Sequence, residues 1–120
     1  MTGLERGDVV LVWFPNSDLI TFKQRPALVV EANNLGTGLP QVLVSMITSN
    51  PARRGHPSRV FIPLASPETM ATGLRTDSIV MTDNLATILD KAVARTLGHL
   101  KDMNRVDAAL RTTLGLQKTA

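Results

Sequence analysis

Residues 8–14 are Asp-Val-Val-Leu-Val-Trp-Phe, a run of β-branched, aliphatic and aromatic side chains that is typical of a strand. Side chains of a strand point alternately to its two faces, and both alternating sets in this run are apolar. One set is Val9, Leu11 and Trp13, and the other is Val10, Val12 and Phe14. We therefore expect this strand to be covered on both faces, by a barrel interior on one side and a partner on the other.

Outward from this strand, short apolar segments alternate with loops rich in Asn, Gly and Pro. Residues 15–18, Pro-Asn-Ser-Asp, have turn chemistry and end the first strand. Asp90 and Lys91 are expected to turn the chain near the end of the strand region. The predicted further strands are residues 27–32, 42–47, 59–63, 78–81 and 86–89.

The hydrophobic period changes near the C-terminus. From Leu100 to Leu114, apolar residues recur at steps of three and four, which predicts one amphipathic helix that packs on the sheet. Gly115 stands where a helix C-cap glycine belongs. Five or six short strands followed by one helix predict a mainly β fold. The expected architecture is a strongly bent antiparallel sheet or partly open barrel, in a single domain over residues 1–120.

Composition excludes several classes of protein. The chain has 120 residues and no cysteine, so a disulfide framework, a thiolate metal site and a cysteine nucleophile are ruled out. We find no signal-peptide pattern and no apolar run near the roughly 20 residues that a membrane-spanning helix needs. A cytoplasmic protein without a membrane partner is expected.

The positive charge is concentrated in one part of the chain. The total is +3, yet residues 19–67 contain five basic residues and one acid, Glu31, a net charge of +4. Such clustering is expected of a polyanion site, and it is equally compatible with a solvated basic loop.

Motif searches exclude the common cofactor and metal chemistries. The sequence has no P-loop, no G-x-G-x-x-G and no H-E-x-x-H, and its acids are scattered. The two histidines are far apart, and only His56, inside the basic stretch, is a candidate for phosphate contact or acid–base work. No metal or other cofactor is expected.

Several segments, in order and spacing, closely resemble the MazF/PemK family of toxins from type II toxin–antitoxin modules. The resemblance runs from about Gly7 to Leu116, nearly the entire chain. It is carried by Gly-Asp-Val-Val-Leu-Val (7–12), Phe-Pro (14–15), Lys-x-Arg-Pro-Ala-Leu-Val-Val (23–30), Met-Ile-Thr-Ser (46–49), the segment 73–80 and the closing segment 100–116.

This resemblance implies an SH3-like barrel of the MazF/PemK/CcdB type with a C-terminal helix, assembled as a homodimer. It also implies a toxin that cleaves single-stranded RNA (mRNA) at short sequences without a metal and is held by a cognate antitoxin. The products would carry a 2′,3′-cyclic phosphate and a 5′-hydroxyl. Arg25 and Thr48 occupy the positions that the family uses for catalysis.

The chemistry suits these two residue types. The 2′-OH of the RNA attacks the adjacent phosphorus, so the protein must position the chain and stabilise negative charge on the phosphoryl oxygens. Arg25 offers a planar fork of donors, and Thr48 a hydroxyl donor. Without the resemblance, Arg25 would be interpreted as a surface ion-pair residue and Thr48 as a β-branched residue at a strand end. No general base is identified.

Further RNA contacts are predicted from loop positions. Residues 17–24 contain no glycine, although relatives commonly place glycine before the Arg-Pro element. The sole carboxylate within residues 17–24 is Asp18. Phe22 is a candidate for stacking on a base or for anchoring the loop. The predicted RNA-binding residues are Asn16, Asp18, Phe22, Lys23, Gln24, Ser49, Asn50, Arg53 and Arg54.

Two other functions remain open at this point. A protein-directed toxin of the gyrase-poisoning CcdB type could use the same barrel. A non-catalytic nucleic-acid-binding module would need the basic patch but not Thr48.

Overall fold

The computed structural model describes residues 3–116 and contains one antiparallel sheet of six strands. The strand order is β4-β5-β3-β2-β1-β6, and the sheet is not closed. A short helix, α1, precedes β5, and a longer helix, α2, follows β6. The elements are β1 (Asp8–Pro15), β2 (Phe22–Val29), β3 (Gln41–Thr48), β4 (Arg59–Ile62), α1 (Pro67–Met70), β5 (Ser78–Leu89), β6 (Val93–His99) and α2 (Asn104–Leu114). The predicted class, a bent sheet with a C-terminal helix, is confirmed.

Strand β2 begins earlier than the sequence predicts. It starts at Phe22 and ends at Val29, whereas the prediction was residues 27–32. Cross-strand pairing explains the shift, because β1 continues to Pro15 and its ladder imposes extended backbone on the polar segment that faces it. Lys23, Gln24 and Arg25 therefore lie on a strand and not in a loop.

Strand β5 is one continuous strand where two were predicted. Met46 of β3 pairs with Met81, whereas its neighbour Ser45 pairs with Leu85, so the residues between them form a bulge. The buried Thr82 anchors this bulge by donating from Oγ1 to the carbonyl oxygen of Ser58 at 2.6 Å. A polar sequence that suggested an interruption is thus a bend within one strand.

The C-terminal part departs from the prediction at two places. Strand β6 was not predicted, since its sequence alternates poorly; its pairing with β1 includes two register shifts. Helix α2 begins at Asn104 and not at Leu100, which is buried in the connection before it. The predicted turn after Leu89 is a 3-10 turn, and Gly115 ends α2 with φ +68° as predicted.

Both faces of β1 are covered within the chain at Val9, Val10 and Val12, which are fully buried. Val9 belongs to an apolar cluster that includes Val106 and Ala109 of α2. Val10 and Val12 belong to a second cluster on the opposite face. The second cover, which the sequence analysis assigned to a partner, is thus supplied by this chain's own strands β2, β3 and β5. Within residues 3–116, no helix combines the length and apolar character needed to cross a membrane.

Candidate functional site

A groove of about 480 Å³ opens where β2 and β3 separate, beside the connection between α1 and β5. Among the described residues that line it, four are cationic and none is a carboxylate. The lining residues are Leu11, Lys23, Gln24, Arg25, Pro26, Ile47, Thr48, Ser49, Gly73, Leu74, Arg75, Thr76, Ser78, Arg95 and Leu97. Such a surface favours an anionic ligand.

Both predicted catalytic residues lie just beyond the paired part of β2 and β3. Ala27 pairs with Met46, and the pairing is antiparallel. Beyond this pair the two strands separate; Arg25 lies two residues before Ala27, and Thr48 lies two residues after Met46. Both residues line the groove, together with Ile47 of the first apolar cluster. Arg25 is exposed and Thr48 half-buried.

The Thr48 hydroxyl is oriented by the backbone that follows it. Its Oγ1 accepts a hydrogen bond from the Asn50 backbone N–H at 3.1 Å. Asn50 in turn accepts through Oδ1 from the Ala52 N–H at 3.0 Å and caps the 3-10 turn Pro51–Arg53. Within residues 3–116, the Thr48 hydroxyl donates to no protein acceptor, so its proton is available to a ligand in the groove.

The Arg25 side chain forms no ion pair with any residue that the structure describes. Two other arginines do: Arg6 pairs with Asp107, and Arg59 with Asp83 at 2.8 Å. The interpretation of Arg25 as a surface ion-pair residue is therefore not supported. Its guanidinium is left with its donors directed to solvent and to whatever enters the groove.

The predicted RNA-binding residues divide into two groups. Lys23, Gln24 and Ser49 line the groove together with Arg25 and Thr48. Outside the lining are Asn16, Asp18, Phe22, Asn50, Arg53 and Arg54.

Two side chains and one backbone carbonyl of the basic stretch make contacts away from the groove. The Arg54 guanidinium lies 3.6 Å from the centroid of the Phe61 ring. The Arg53 backbone carbonyl accepts a hydrogen bond from the Arg59 side chain at 3.2 Å. His56 uses Nδ1 as an acceptor for the Ser58 N–H at 3.1 Å and lies away from the groove. The clustering of charge in sequence is thus only partly a clustering in space.

Asp18 holds the loop between β1 and β2. Its carboxylate accepts from the backbone N–H groups of Ile20 and Thr21, at 2.9 and 3.0 Å, and from the Thr21 hydroxyl at 2.8 Å. These hydrogen bonds hold the pKa of Asp18 below its usual value, and the one from the Thr21 N–H has the largest effect. Leu19 in the same loop has φ +61°. The carboxylate therefore shapes the hairpin and does not reach the groove.

Two groove cations were missed by the sequence analysis. Arg75 lies in the connection between α1 and β5, and Arg95 lies on β6. The charge count ended at residue 67, and β6 was not predicted, so nothing linked either residue to Arg25. A usable signal was the position of Arg75 within segment 73–80, one of those that resemble the toxin family.

Comparisons with solved structures agree with this fold. An endoribonuclease from a mycobacterial species, solved in complex with its cognate antitoxin, matches with a TM-score of 0.74 and 24% identity, over 98% of this chain and 100% of that one. A second mycobacterial endoribonuclease matches with a TM-score of 0.73 and 26% identity, over 99% and 98% of the two chains. The Mycobacterium tuberculosis toxin MazF-mt6 matches with a TM-score of 0.72 and 23% identity, over 92% and 99%.

Among curated proteins, none matches this chain. The model of one protein family does match, and it spans residues 5–114, from before β1 to the last residue of α2. The match includes every strand and every residue that lines the groove. The chain therefore belongs to the PemK-like, MazF-like toxins of type II toxin–antitoxin systems.

Proposed function

We propose that this toxin is a metal-independent, sequence-specific endoribonuclease that cleaves single-stranded RNA, including mRNA, by attack of the 2′-OH on the adjacent phosphate. The observation that carries the proposal is that Arg25 and Thr48 both line a groove whose described lining holds four cations and no carboxylate. The solved relatives named as endoribonucleases support it.

In the proposed reaction, the 2′-oxygen forms a bond to phosphorus while the bond from phosphorus to the 5′-oxygen breaks. The 2′-OH proton passes to a base, and a proton is delivered to the departing 5′-oxygen. The products carry a 2′,3′-cyclic phosphate and a 5′-hydroxyl. No enzyme nucleophile is consumed, so the protein acts by positioning and by electrostatic stabilisation.

Arg25 serves as an electrostatic clamp in this scheme. Its planar guanidinium donates to the phosphoryl oxygens, on which negative charge grows as the fifth bond to phosphorus forms. Thr48 donates its free hydroxyl proton to the same group, because its oxygen is already held by the Asn50 N–H. A guanidinium is almost always charged, so we assign Arg25 charge stabilisation and not the removal of the 2′-OH proton.

The remaining substrate contacts follow the groove. Lys23, Gln24 and Ser49 are proposed to bind the RNA where they line it. Phe22 is 58% exposed at the end of the β1–β2 hairpin and can stack on a base outside the lining. Asn16, Asn50, Arg53 and Arg54 are proposed as flanking contacts, and Asp18 as the residue that fixes the hairpin loop.

The partners are proposed on the same basis. A cognate antitoxin is expected to bind this chain in the cytoplasm, as one solved relative was determined with its own antitoxin. A homodimer is proposed because the β1–β2 hairpin exposes large apolar side chains. They are Trp13, Leu19, Ile20 and Phe22, with exposed fractions of 46%, 78%, 81% and 58%.

The decisive experiment incubates the purified protein with single-stranded RNA in excess EDTA and determines the chemistry of the product ends. We expect cleavage in EDTA with 2′,3′-cyclic phosphate and 5′-hydroxyl ends, lost in Thr48→Ala and retained in Arg111→Ala, an exposed arginine of α2 away from the groove. Intact RNA that remains bound would favour a non-catalytic binding module. Intact and unbound RNA would favour a protein-directed toxin.

A further inference from the structure

One wall of the groove carries two arginines that the proposed chemistry does not use. Arg95 pairs with Leu11 of β1, and Leu11 pairs on its other side with Pro26 of β2. Arg95, Leu11 and Pro26 thus lie side by side on three neighbouring strands. The backbone of Arg95 is therefore about 10 Å, two strand spacings, from that of Pro26, the neighbour of Arg25. Arg95 therefore adds a cation to the groove two strands away from Arg25.

The connection that carries Arg75 is held tightly against β6. A Cβ atom built on Gly73, which has φ +73°, would lie 2.3 Å from the Leu97 carbonyl oxygen. A Cβ atom on Gly98 would lie 2.2 Å from the Ala71 carbonyl oxygen. Only glycine allows the two backbones to approach this closely. The contact places Arg75 on the same wall as Arg95.

Hydrogen bonds fix this connection further. The His99 N–H donates to the Ala71 carbonyl at 2.8 Å. The buried Thr72 donates from Oγ1 to the Thr69 carbonyl at 2.6 Å and accepts from the Leu74 N–H at 3.2 Å. The backbone before Arg75 is thus ordered on both sides, and a ligand need not order it.

Neither Arg75 nor Arg95 has a counter-ion among residues 3–116. Both side chains are exposed. The acid nearest to Arg75 in sequence, Asp77, accepts a hydrogen bond from the Leu64 N–H at 2.7 Å and does not line the groove. Two uncompensated guanidinium groups on a fixed wall attract an anion, and their donor geometry suits phosphate oxygens.

We infer that Arg75 and Arg95 bind a backbone phosphate of the RNA other than the one that is cleaved. The inference rests on the proposed endoribonuclease function and extends it, since it defines a second anchor for the substrate strand. Both are positioning residues: they hold the strand across the groove so that the scissile phosphate meets Arg25 and Thr48. Binding of this kind is made equally in the ground and transition states, so its loss raises KM more than it lowers kcat.

The test measures the binding of a mixed-sequence, single-stranded 2′-O-methyl RNA, which lacks the attacking hydroxyl and cannot be cleaved. Affinity is measured over a range of salt concentrations for the wild type, Arg75→Ala, Arg95→Ala and the control Arg111→Ala. Each phosphate contact contributes about 0.7 to the slope of log K against log salt for a single strand. We expect the slope to fall by about that amount in the groove variants, with affinity about tenfold lower, and to stay unchanged in Arg111→Ala.

Lysine variants separate charge from fold. Arg75→Lys and Arg95→Lys keep the charge and should keep the wild-type salt slope, which a merely structural role would not predict. Thermal unfolding shows whether each variant is folded. If an alanine variant is not folded, the glutamine variant of the same residue, Arg75→Gln or Arg95→Gln, is used in its place. Wild-type slopes in the folded neutral variants of both residues overturn the inference.

These experiments test the second phosphate site separately from the proposed endoribonuclease activity. If Arg25→Ala and Thr48→Ala abolish cleavage while Arg75→Ala and Arg95→Ala bind with the wild-type slope, the second anchor is wrong and the endoribonuclease stands. If the wild type cleaves no RNA but its salt slope falls in the Arg75 and Arg95 variants, the phosphate site stands and the cleavage assignment is wrong.

Discussion

The backbone N–H of Asn50 donates a hydrogen bond to the Thr48 hydroxyl oxygen at 3.1 Å. This contact occupies one lone pair of the hydroxyl and leaves its proton free to be donated. Because the backbone holds the hydroxyl oxygen in place before a substrate binds, the donor needs little reorganisation at the moment of reaction.

The first prediction follows from this contact. Thr48→Val, which keeps the β-branched shape but removes the hydroxyl, should lower the cleavage rate about 10²–10³-fold, the usual effect of losing one donor to a developing oxyanion. Thr48→Ser keeps the donor and should retain most of the activity. Single-turnover cleavage of a labelled RNA measures both. Near-wild-type cleavage by folded Thr48→Val would remove Thr48 from the reaction.

Substitution of Arg25 should leave the stability of the fold unchanged but should lower the cleavage rate. The side chain is exposed and has no ion pair among the described residues, so Arg25→Ala should leave the midpoint of thermal unfolding nearly unchanged. Its cleavage rate should fall about 10²–10³-fold. Arg25→Lys should also lose most activity, because an ammonium group cannot reproduce the planar fork of donors. Full activity in Arg25→Lys would show that charge alone suffices.

The fold was predictable from sequence where local pattern and tertiary contacts agree. The apolar run of β1, the helical period before Gly115 and the turn after Leu89 all appear in the structure. The start of β2 and the continuity of β5 were not predictable, because the partner strand and a bulge decide them.

The site was predictable only along the segments that carry the family resemblance. Arg25 and Thr48 come from two strands whose register no sequence pattern displays, so the resemblance alone indicated that they act together. Arg75 and Arg95 reach the groove through the contact of two glycines with facing backbone, and charge counting cannot reveal such a contact. Likewise, the contact of Arg54 with the Phe61 ring joins two segments of the chain in a way that no local sequence pattern displays.

The ion pair between Arg59 and Asp83 makes stability depend on pH. The Arg59 side chain donates to both carboxylate oxygens, at 2.8 and 3.4 Å, and holds the pKa of Asp83 below its usual value. A lowered folded-state pKa means that the pair contributes stability above the unfolded pKa, about 3.9, and loses it as pH falls through the folded pKa. Asp83→Asn should therefore lower the free energy of unfolding by about 0.2–1 kcal/mol near neutral pH.

Urea denaturation at neutral and strongly acidic pH tests this dependence. The difference between wild type and Asp83→Asn should disappear in acid, where both side chains are uncharged. Arg59→Gln should cost a similar amount at neutral pH, and the double variant little more, since both changes remove one interaction. A difference that is the same at both pH values would assign the effect to something other than the ion pair.

Gly98 should not tolerate a side chain, although it is the one glycine among residues 3–116 without a positive φ. A Cβ atom there would meet the backbone of Ala71 and Thr72 within 2.2–2.7 Å, and backbone cannot move aside as a flexible side chain can. Gly98→Ala should lower the free energy of unfolding by about 3 kcal/mol, the upper end of the range for overpacking. Gly38→Ala is the control: its φ of +77° is strained for alanine, but nothing lies within 4 Å of the added carbon. Equal stabilities of the two variants would contradict the close approach of the Ala71 backbone to β6.

The last prediction concerns the proposed antitoxin. A groove with four cations and no carboxylate in its described lining should bind an acidic segment of a partner as well as RNA, because carboxylates present the same charge to the guanidinium groups as phosphates do. A segment that is disordered before binding loses conformational entropy when it docks, so tight inhibition needs a contact larger than the groove alone. We therefore expect an acidic antitoxin segment to occupy the groove and to extend beyond it onto the neighbouring surface.

Competition between the two ligands tests this mechanism. The 2′-O-methyl RNA and an acidic antitoxin peptide should displace each other, and both should bind more weakly as salt rises. Arg95→Glu should weaken both, whereas Arg111→Glu, with the same change of charge on the exposed surface of α2, should weaken neither by more than a small non-specific amount. Simultaneous binding of RNA and peptide, with cleavage still suppressed, would exclude occlusion of the groove. Inhibition would then have to act through displacement of the loop that Asp18 holds between β1 and β2, and Asp18→Ala, which releases that loop, should lower cleavage even without the peptide.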